Sequence, residues 1–253
     1  MRILVCLKQV PDTTEVKLSS SFTLQRDFIA QIMNPADESA LELGLALRDL
    51  HGGSVTALTM GPARAEAMLR EALARGADSA VFLSDPAFAG ADTLVTAECL
   101  AAAANRLGGF DLILCGRRAA DGETGQVGPM LASLLDISCI ANATKAHISG
   151  GRIQATQLTE AGEIIWEAPL PVLLTLCEWS LRLRLPTILG LKKSRAEEIQ
   201  RFTPQALGLT ACGLKASPTR VVRVDASPAG VRPCRKLPLK DVLDALEEGG
   251  LLP

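Results

Sequence analysis

Nine consecutive residues, Asp121-Gly122-Glu123-Thr124-Gly125-Gln126-Val127-Gly128-Pro129, carry the most pointed chemistry in this chain. Glycines let a backbone come close to a bound group. A helix beginning there offers free N–H groups and the positive end of its dipole, which suit a phosphate or pyrophosphate. Thr124 adds a hydroxyl and Gln126 an amide, both able to hydrogen-bond phosphate or ribose. The spacing is neither G-x-G-x-x-G nor G-x-x-x-x-G-K-[ST]. On spacing alone, a phosphate site and a glycine-rich turn with ordinary capping both remain open.

Other residues are candidates through their predicted positions at strand ends. Cys6 and Lys8 close the first predicted strand, and Met60 closes the second. Lys8 can neutralise a phosphate. Asn34-Pro35-Ala36-Asp37 follows a long loop and suits either a helix cap or a cover over adenine or ribose. Asp121 and Glu123 are not read as an acid–base pair, because no His or Lys lies near them in sequence. His51 and His147 are the only histidines, and none of the seven cysteines forms a CxxC. No metal site and no catalytic residue is therefore expected. The scattered thiols read as small buried hydrophobes in a reducing cytoplasm.

The elements that must hold these residues alternate. Strands are predicted at 2–7, 54–60, 80–84 and 111–115. Helices are predicted from Asn34 to about Leu50, then at 63–75, 92–107 and 123–135. That series predicts an α/β fold, a parallel sheet with helices on both faces, whose ligands bind outside the carboxyl ends of the strands. A small hairpin is read at Ser21–Gln25, within the loop Gln9–Gln31. From Ala143 to Glu167 polar and apolar residues alternate between turn signals, which reads as antiparallel hairpins. Pro171–Cys177 is a further apolar strand. Beyond about Leu181 the chain reads as an extension, basic at first and then punctuated by prolines, with one helix at Asp241–Glu248. The expected division is a nucleotide-binding domain at 1–201 and a C-terminal arm at 202–253.

Composition narrows the partners. Hydrophobic residues make up 48% of the 253, enough for a sizeable core. Aromatics are 3% with no Tyr, which disfavours base stacking, and a net charge of −2 gives no pull toward nucleic acid. No nucleic-acid partner is expected. No apolar run reaches the roughly 18 residues of a membrane span, and MRILVCLKQVPD lacks the features of a secretory leader. The expected location is cytoplasmic.

Four stretches in order resemble the β subunit of electron-transfer flavoproteins. They are MRILVCLKQVPD, MNPADESALE at Met33–Glu42, GPARAEAMLREALARGAD at Gly61–Asp78, and GRRAADGETGQVGPMLASLLDI at Gly116–Ile137. The resemblance, from Met1 to about Arg201, implies a nucleotide α-hydrolase-like sheet and a heterodimer with an α subunit that carries the redox FAD. It also implies a second adenine nucleotide in this chain, contacted at Cys6, Asn34–Asp37, Met60 and Thr124–Leu135. AMP is usual in the family. The loop is closer to the D-G-D-T-A-Q-V-G-P form of the electron-bifurcating branch, so FAD is the first expectation and AMP the second.

The same resemblance implies a docking loop for acyl-CoA dehydrogenase-like or other flavin dehydrogenases at Leu185, Pro186, Lys192 and Lys193. There the sequence departs from the family's longer lysine run, reading Lys192-Lys193-Ser194-Arg195-Ala196-Glu197-Glu198. The competing reading is a stand-alone universal-stress-type sensor that binds ATP or AMP. An ATP-pyrophosphatase is rejected, since Lys8–Asp12 stands where its Ser-Gly-Gly loop belongs.

Overall fold

The computed structural model describes residues 1–12, 30–222 and 236–250. The chain forms β1 (Arg2–Cys6), β2 (Gln9–Pro11), β3 (Gln31–Met33), α1 (Pro35–His51), β4 (Ser54–Met60), α2 (Glu66–Arg75), β5 (Ser79–Leu83), α3 (Thr93–Arg106), β6 (Leu112–Gly116) and α4 (Val127–Leu134). There follow β7 (Ser138–Ser149), β8 (Arg152–Thr159), β9 (Gly162–Pro169), β10 (Val172–Leu176), α5 (Ile188–Ala196), β11 (Ile199–Phe202), α6 (Gly213–Ala216) and α7 (Val242–Glu248). Residues Met1–Arg220 form one compact unit and Val221–Pro253 another. In the second, the described helix is α7, close to its expected span.

Nine strands of the first unit make one sheet in the order β11-β5-β4-β1-β6-β10-β7-β8-β9. Pairing is parallel from β11 through to β7, and β7, β8 and β9 form the antiparallel ladder that the alternating sequence predicts. The expected α/β architecture is present. From β1 the chain steps through β4 to β5, then returns across the sheet to β6 on the other side of β1. The carboxyl ends of β1 and β6 therefore border the crevice where strand order reverses.

Apolar side chains of α1 and α2 cover one face of the sheet, and those of α3 and α4 cover the other. The central strands are buried on both faces, which is why they read as continuous Leu, Ile and Val runs. Gly44 lets α1 lie close against β1 and β6. A Cβ there would sit 3.1 Å from Val5 Cγ2 and 3.3 Å from a Leu114 methyl.

Three expectations need correction. The fourth helix starts at Val127 rather than Glu123, because Glu123 (φ 53°) and Gly125 (φ 62°) are left-handed, which a right-handed helix excludes. The segment after Leu181 is not a simple extension. α5 packs on α2 so closely that a Cβ on Gly190 would meet the Ala74 carbonyl at 2.1 Å, and β11 adds to the sheet beside β5. The loop Gln9–Gln31 begins and ends in an antiparallel pair, β2 and β3. The hairpin read at Ser21–Gln25 lies outside the described residues.

Residues 203–220 also belong to the first unit. The Leu214 N–H bonds the Ala89 carbonyl (2.9 Å), and Thr219 Oγ1 donates to Asp92 Oδ2 (2.7 Å) at the cap of α3.

Gly44→Val forces a branched side chain against Val5 and Leu114, and overpacking of this kind costs about 1–3 kcal/mol. Urea unfolding is expected to show that loss. Unchanged stability would mean α1 can retreat from the sheet freely.

Candidate functional site

The site grows from a buried carboxylate. Asp37, in the first turn of α1, is 4% exposed. Its Oδ2 accepts the Lys8 N–H at 2.6 Å, just past β1. Its Oδ1 accepts the Gly116 N–H at 2.9 Å, at the end of β6, and the Asn34 amide at 3.1 Å. One side chain thus joins the ends of both strands that border the crevice. Burial pushes its carboxyl up to about 7, against the lowering effect of Asn34, of the two backbone N–H groups and of the Lys8 charge. No side chain larger than glycine's fits at 116, where a Cβ would stand 2.2 Å from Asp37 Oδ1.

Asn34 holds the N-cap position of α1 but makes no side-chain cap bond. Its amide instead reaches the loop after β6. Nδ2 donates to the Arg118 carbonyl (2.9 Å), and Oδ1 accepts the Ala120 N–H (3.1 Å). The expected cap is replaced because three loop and carboxylate partners compete for the same side chain. Pro35 and Ala36 follow in the first turn, with Ala36 fully buried.

Lys8 is pinned from the other side. Its Nζ lies 2.6 Å from Asp121 Oδ1, and the Asp121 side chain is 2% exposed. The two acids, Asp37 and Asp121, therefore tie the end of β1 to α1 and to the loop. Cys6, the last residue of β1, is in register with Cys115 of β6, and both are buried. A hydrogen bond from the Cys115 thiol to Cys6, together with burial, pushes the Cys115 thiol up. Met60 ends β4 next to β1 and is half-buried.

The loop then presents its own groups. Glu123 and Thr124 are exposed, and the left-handed pair at 123 and 125 turns the chain into α4. Val127 and Gly128, in the first turn, have no intrahelical acceptor for their N–H groups, and Pro129 has none to offer. Gln126 accepts from the Thr93 hydroxyl at 2.9 Å. Gly128 also seats α4 on β10, where a Cβ would meet Thr175 Cγ2 at 2.5 Å. The donor set of hydroxyl, amide and free N–H groups beside close-packed glycines fits an adenine nucleotide's phosphates and ribose. Thr124–Leu135 covers this loop end and α4.

Sequence reasoning missed Arg117, Arg118 and Glu178. Glu178 Oε2 accepts from Arg117 Nε at 2.6 Å, and Oε1 from Arg118 Nε at 2.9 Å. Burial opposes the charge on Glu178, yet the two guanidiniums hold its carboxyl below the usual range. The partners lie sixty residues apart, so no local pattern shows the pairing.

Leu185, Lys192 and Lys193 are exposed, and Pro186 lines a cleft of about 460 Å³ between α2 and α5. They do not join the strand-end cluster. Ile188 and Leu189 extend the exposed apolar surface beside Leu185.

The chain matches the electron transfer flavoprotein domain over residues 21–207. It is 43% identical to the "Electron transfer flavoprotein subunit beta" of Thermoanaerobacterium thermosaccharolyticum, over 88% of this chain and 86% of that one. The chain belongs to the electron transfer flavoprotein family. It is also 42% identical to the subunit beta of Megasphaera elsdenii, across 90% of this chain and 88% of the relative. A third relative, "Caffeyl-CoA reductase-Etf complex subunit CarD" of Acetobacterium woodii, is 41% identical across 90% and 89%. The electron transfer flavoprotein match leaves the stress-type sensor without support. Among the described residues, no helix is long and apolar enough to cross a membrane.

Asp37 gives this flavoprotein subunit a specific pH response. A carboxyl raised from 3.8 to about 7 is protonated in both states below 3.8. As pH rises toward 7 the unfolded chain ionises first, so stability conferred by the neutral form is lost across that window. In urea unfolding, wild type is expected to lose stability relative to Asp37→Asn between pH 4 and 7. A constant difference across that range would contradict a raised Asp37.

Proposed function

We propose that this chain is the small subunit of a heterodimeric electron transfer flavoprotein and binds an adenine nucleotide, FAD in preference to AMP. The observation that carries the reading is the loop from Gly116 to Gln126. It leaves β6 at the crevice, turns through two left-handed residues and delivers free N–H groups at the start of α4. In this reading Cys6, Asn34–Asp37, Met60 and Thr124–Pro129 contact the nucleotide. Lys8 and Asp121 fix the loop's origin.

FAD, when bound, supplies the electron chemistry. The chain's residues bind and orient it. Thr124 and the N–H groups of Val127 and Gly128 take phosphate, and buried Asn34 and Asp37 keep the adjoining backbone in place. No side chain is asked to form a covalent bond. The preference for FAD rests on the wording Asp121-Gly122-Glu123-Thr124-Gly125-Gln126-Val127-Gly128-Pro129, which supports a role in electron bifurcation.

The partners in this reading are an α subunit carrying the redox FAD and flavin dehydrogenases docking at Leu185, Pro186, Lys192 and Lys193. The names of two relatives, a caffeyl-CoA reductase complex subunit and an acryloyl-CoA reductase electron transfer subunit, support acyl-CoA chemistry in the docking enzyme. The arm 202–253, beyond the part tied to α3, contacts the α subunit. The complex works in the cytoplasm, without nucleic acid.

Cofactor extraction tests the assignment. Denaturing the purified heterodimer and quantifying released nucleotides is expected to give two FAD per heterodimer. One FAD with one AMP would overturn the FAD assignment for this subunit while keeping the site. One FAD with no second nucleotide would overturn both.

A further inference from the structure

The carboxylate of Glu178 lies between two parts of the proposed function that are otherwise separate. It stands just past β10, one strand from β6. Its side chain is 16% exposed and receives three N–H donors, Arg117 Nε (2.6 Å), Arg118 Nε (2.9 Å) and Arg117 Nη2 (3.3 Å). Charge-assisted bonds of this kind are directional and about twice as strong as neutral ones. Both arginines belong to the loop that presents Thr124–Gly128. Arg118 also pairs with Glu123, and its carbonyl accepts the Asn34 amide. The Arg117 carbonyl lies 3.3 Å from where a Cβ on Gly125 would be.

On its other side Glu178 opens the segment that ends at Leu185. The next residue, Trp179, is 83% exposed and left-handed (φ 56°), an outlier for a bulky side chain. Ser180 Oγ closes the turn on the Cys177 carbonyl at 2.9 Å. The segment then runs along α1. The Leu181 N–H reaches Ser39 Oγ at 3.4 Å, and Arg184 grips Glu42 and Asp49. Trp179, Leu181 and Leu185 line one cleft of about 410 Å³ with Glu38, the neighbour of Asp37. The docking segment is therefore clamped at one end to the nucleotide loop and along its length to the helix that begins at Asn34–Asp37.

We propose that Glu178 is a positioning residue that couples nucleotide loading to the placement of the docking segment. The inference rests on the nucleotide reading above. A ligand that orders the loop restrains Arg117 and Arg118, and through them Glu178 and the Trp179 turn. Coupling is reciprocal, so cutting the link must also change nucleotide affinity.

The test uses the full heterodimer, stripped of its exchangeable nucleotide, with 5-fluorotryptophan placed in this chain only. The chain has two tryptophans, so Trp166→Phe leaves Trp179 as the single ¹⁹F reporter. AMP and FAD are the probes, with binding measured separately by equilibrium dialysis. The expected result is a nucleotide-dependent shift of the Trp179 resonance. Glu178→Gln is expected to abolish that shift and weaken AMP binding about five-fold or more, and Glu178→Asp to restore part of both. If Glu178→Gln does not fold, Arg118→Gln carries the same test from the more exposed partner. Nucleotide binding with an unmoved resonance overturns the coupling, as does a wild-type shift in the variant. Failure of both nucleotides to bind overturns the nucleotide reading and the coupling together.

Discussion

One buried carboxylate sets the geometry on which the rest depends. Asp37 accepts N–H groups from Lys8 at the end of β1 and from Gly116 at the end of β6. Those two strands border the crevice where the chain reverses direction across the sheet. Backbone donors at strand ends have no ladder partner, and leaving them buried and unpaired is expensive. A carboxylate from α1, the helix that follows β3, satisfies both. The cost is desolvation of the acid, which is why its carboxyl sits near 7.

The neighbouring pairs extend the same solution outward. Asn34 gives up its capping role to bind the loop backbone, and Lys8 reaches across to the enclosed Asp121. The loop that results is anchored at its base and exposed at its tip, where Glu123 and Thr124 face solvent. Anchoring of this kind pre-organises donors for a ligand and lowers the ordering cost of binding. The second carboxylate cluster, around Glu178, attaches the same loop to the segment carrying the exposed Leu185. In the proposed function, recognition of a small ligand and recognition of a protein share one mechanical base.

Much of this was legible in the sequence. Continuous apolar runs marked the doubly buried strands, and alternation marked β7 to β9. The order of strands and helices predicted the crevice and placed Cys6, Met60 and the Asp121 loop near it. Three things were hidden. The start of α4 depends on left-handed backbone at Glu123, which no residue preference announces. β11 is four residues long with a simple buried–exposed–exposed–buried pattern, and its place beside β5 is set by tertiary pairing. The roles of Asn34, Asp37 and Glu178 come from contacts between residues as far apart as 86 and 61 positions, beyond any local motif. The expected docking residues come from family resemblance alone, and the structure shows Leu185, Lys192 and Lys193 exposed.

Family membership makes electron transfer the setting, and the share of it proposed for this subunit is a nucleotide held by backbone at the β1–β6 crevice. Hydrogen–deuterium exchange on the heterodimer, stripped and then reloaded with FAD, tests that claim most directly. Protection is predicted at 34–37 and at 116–130 of this chain, with little change in β8 and β9. Protection confined to other segments, or none in this chain, would contradict it.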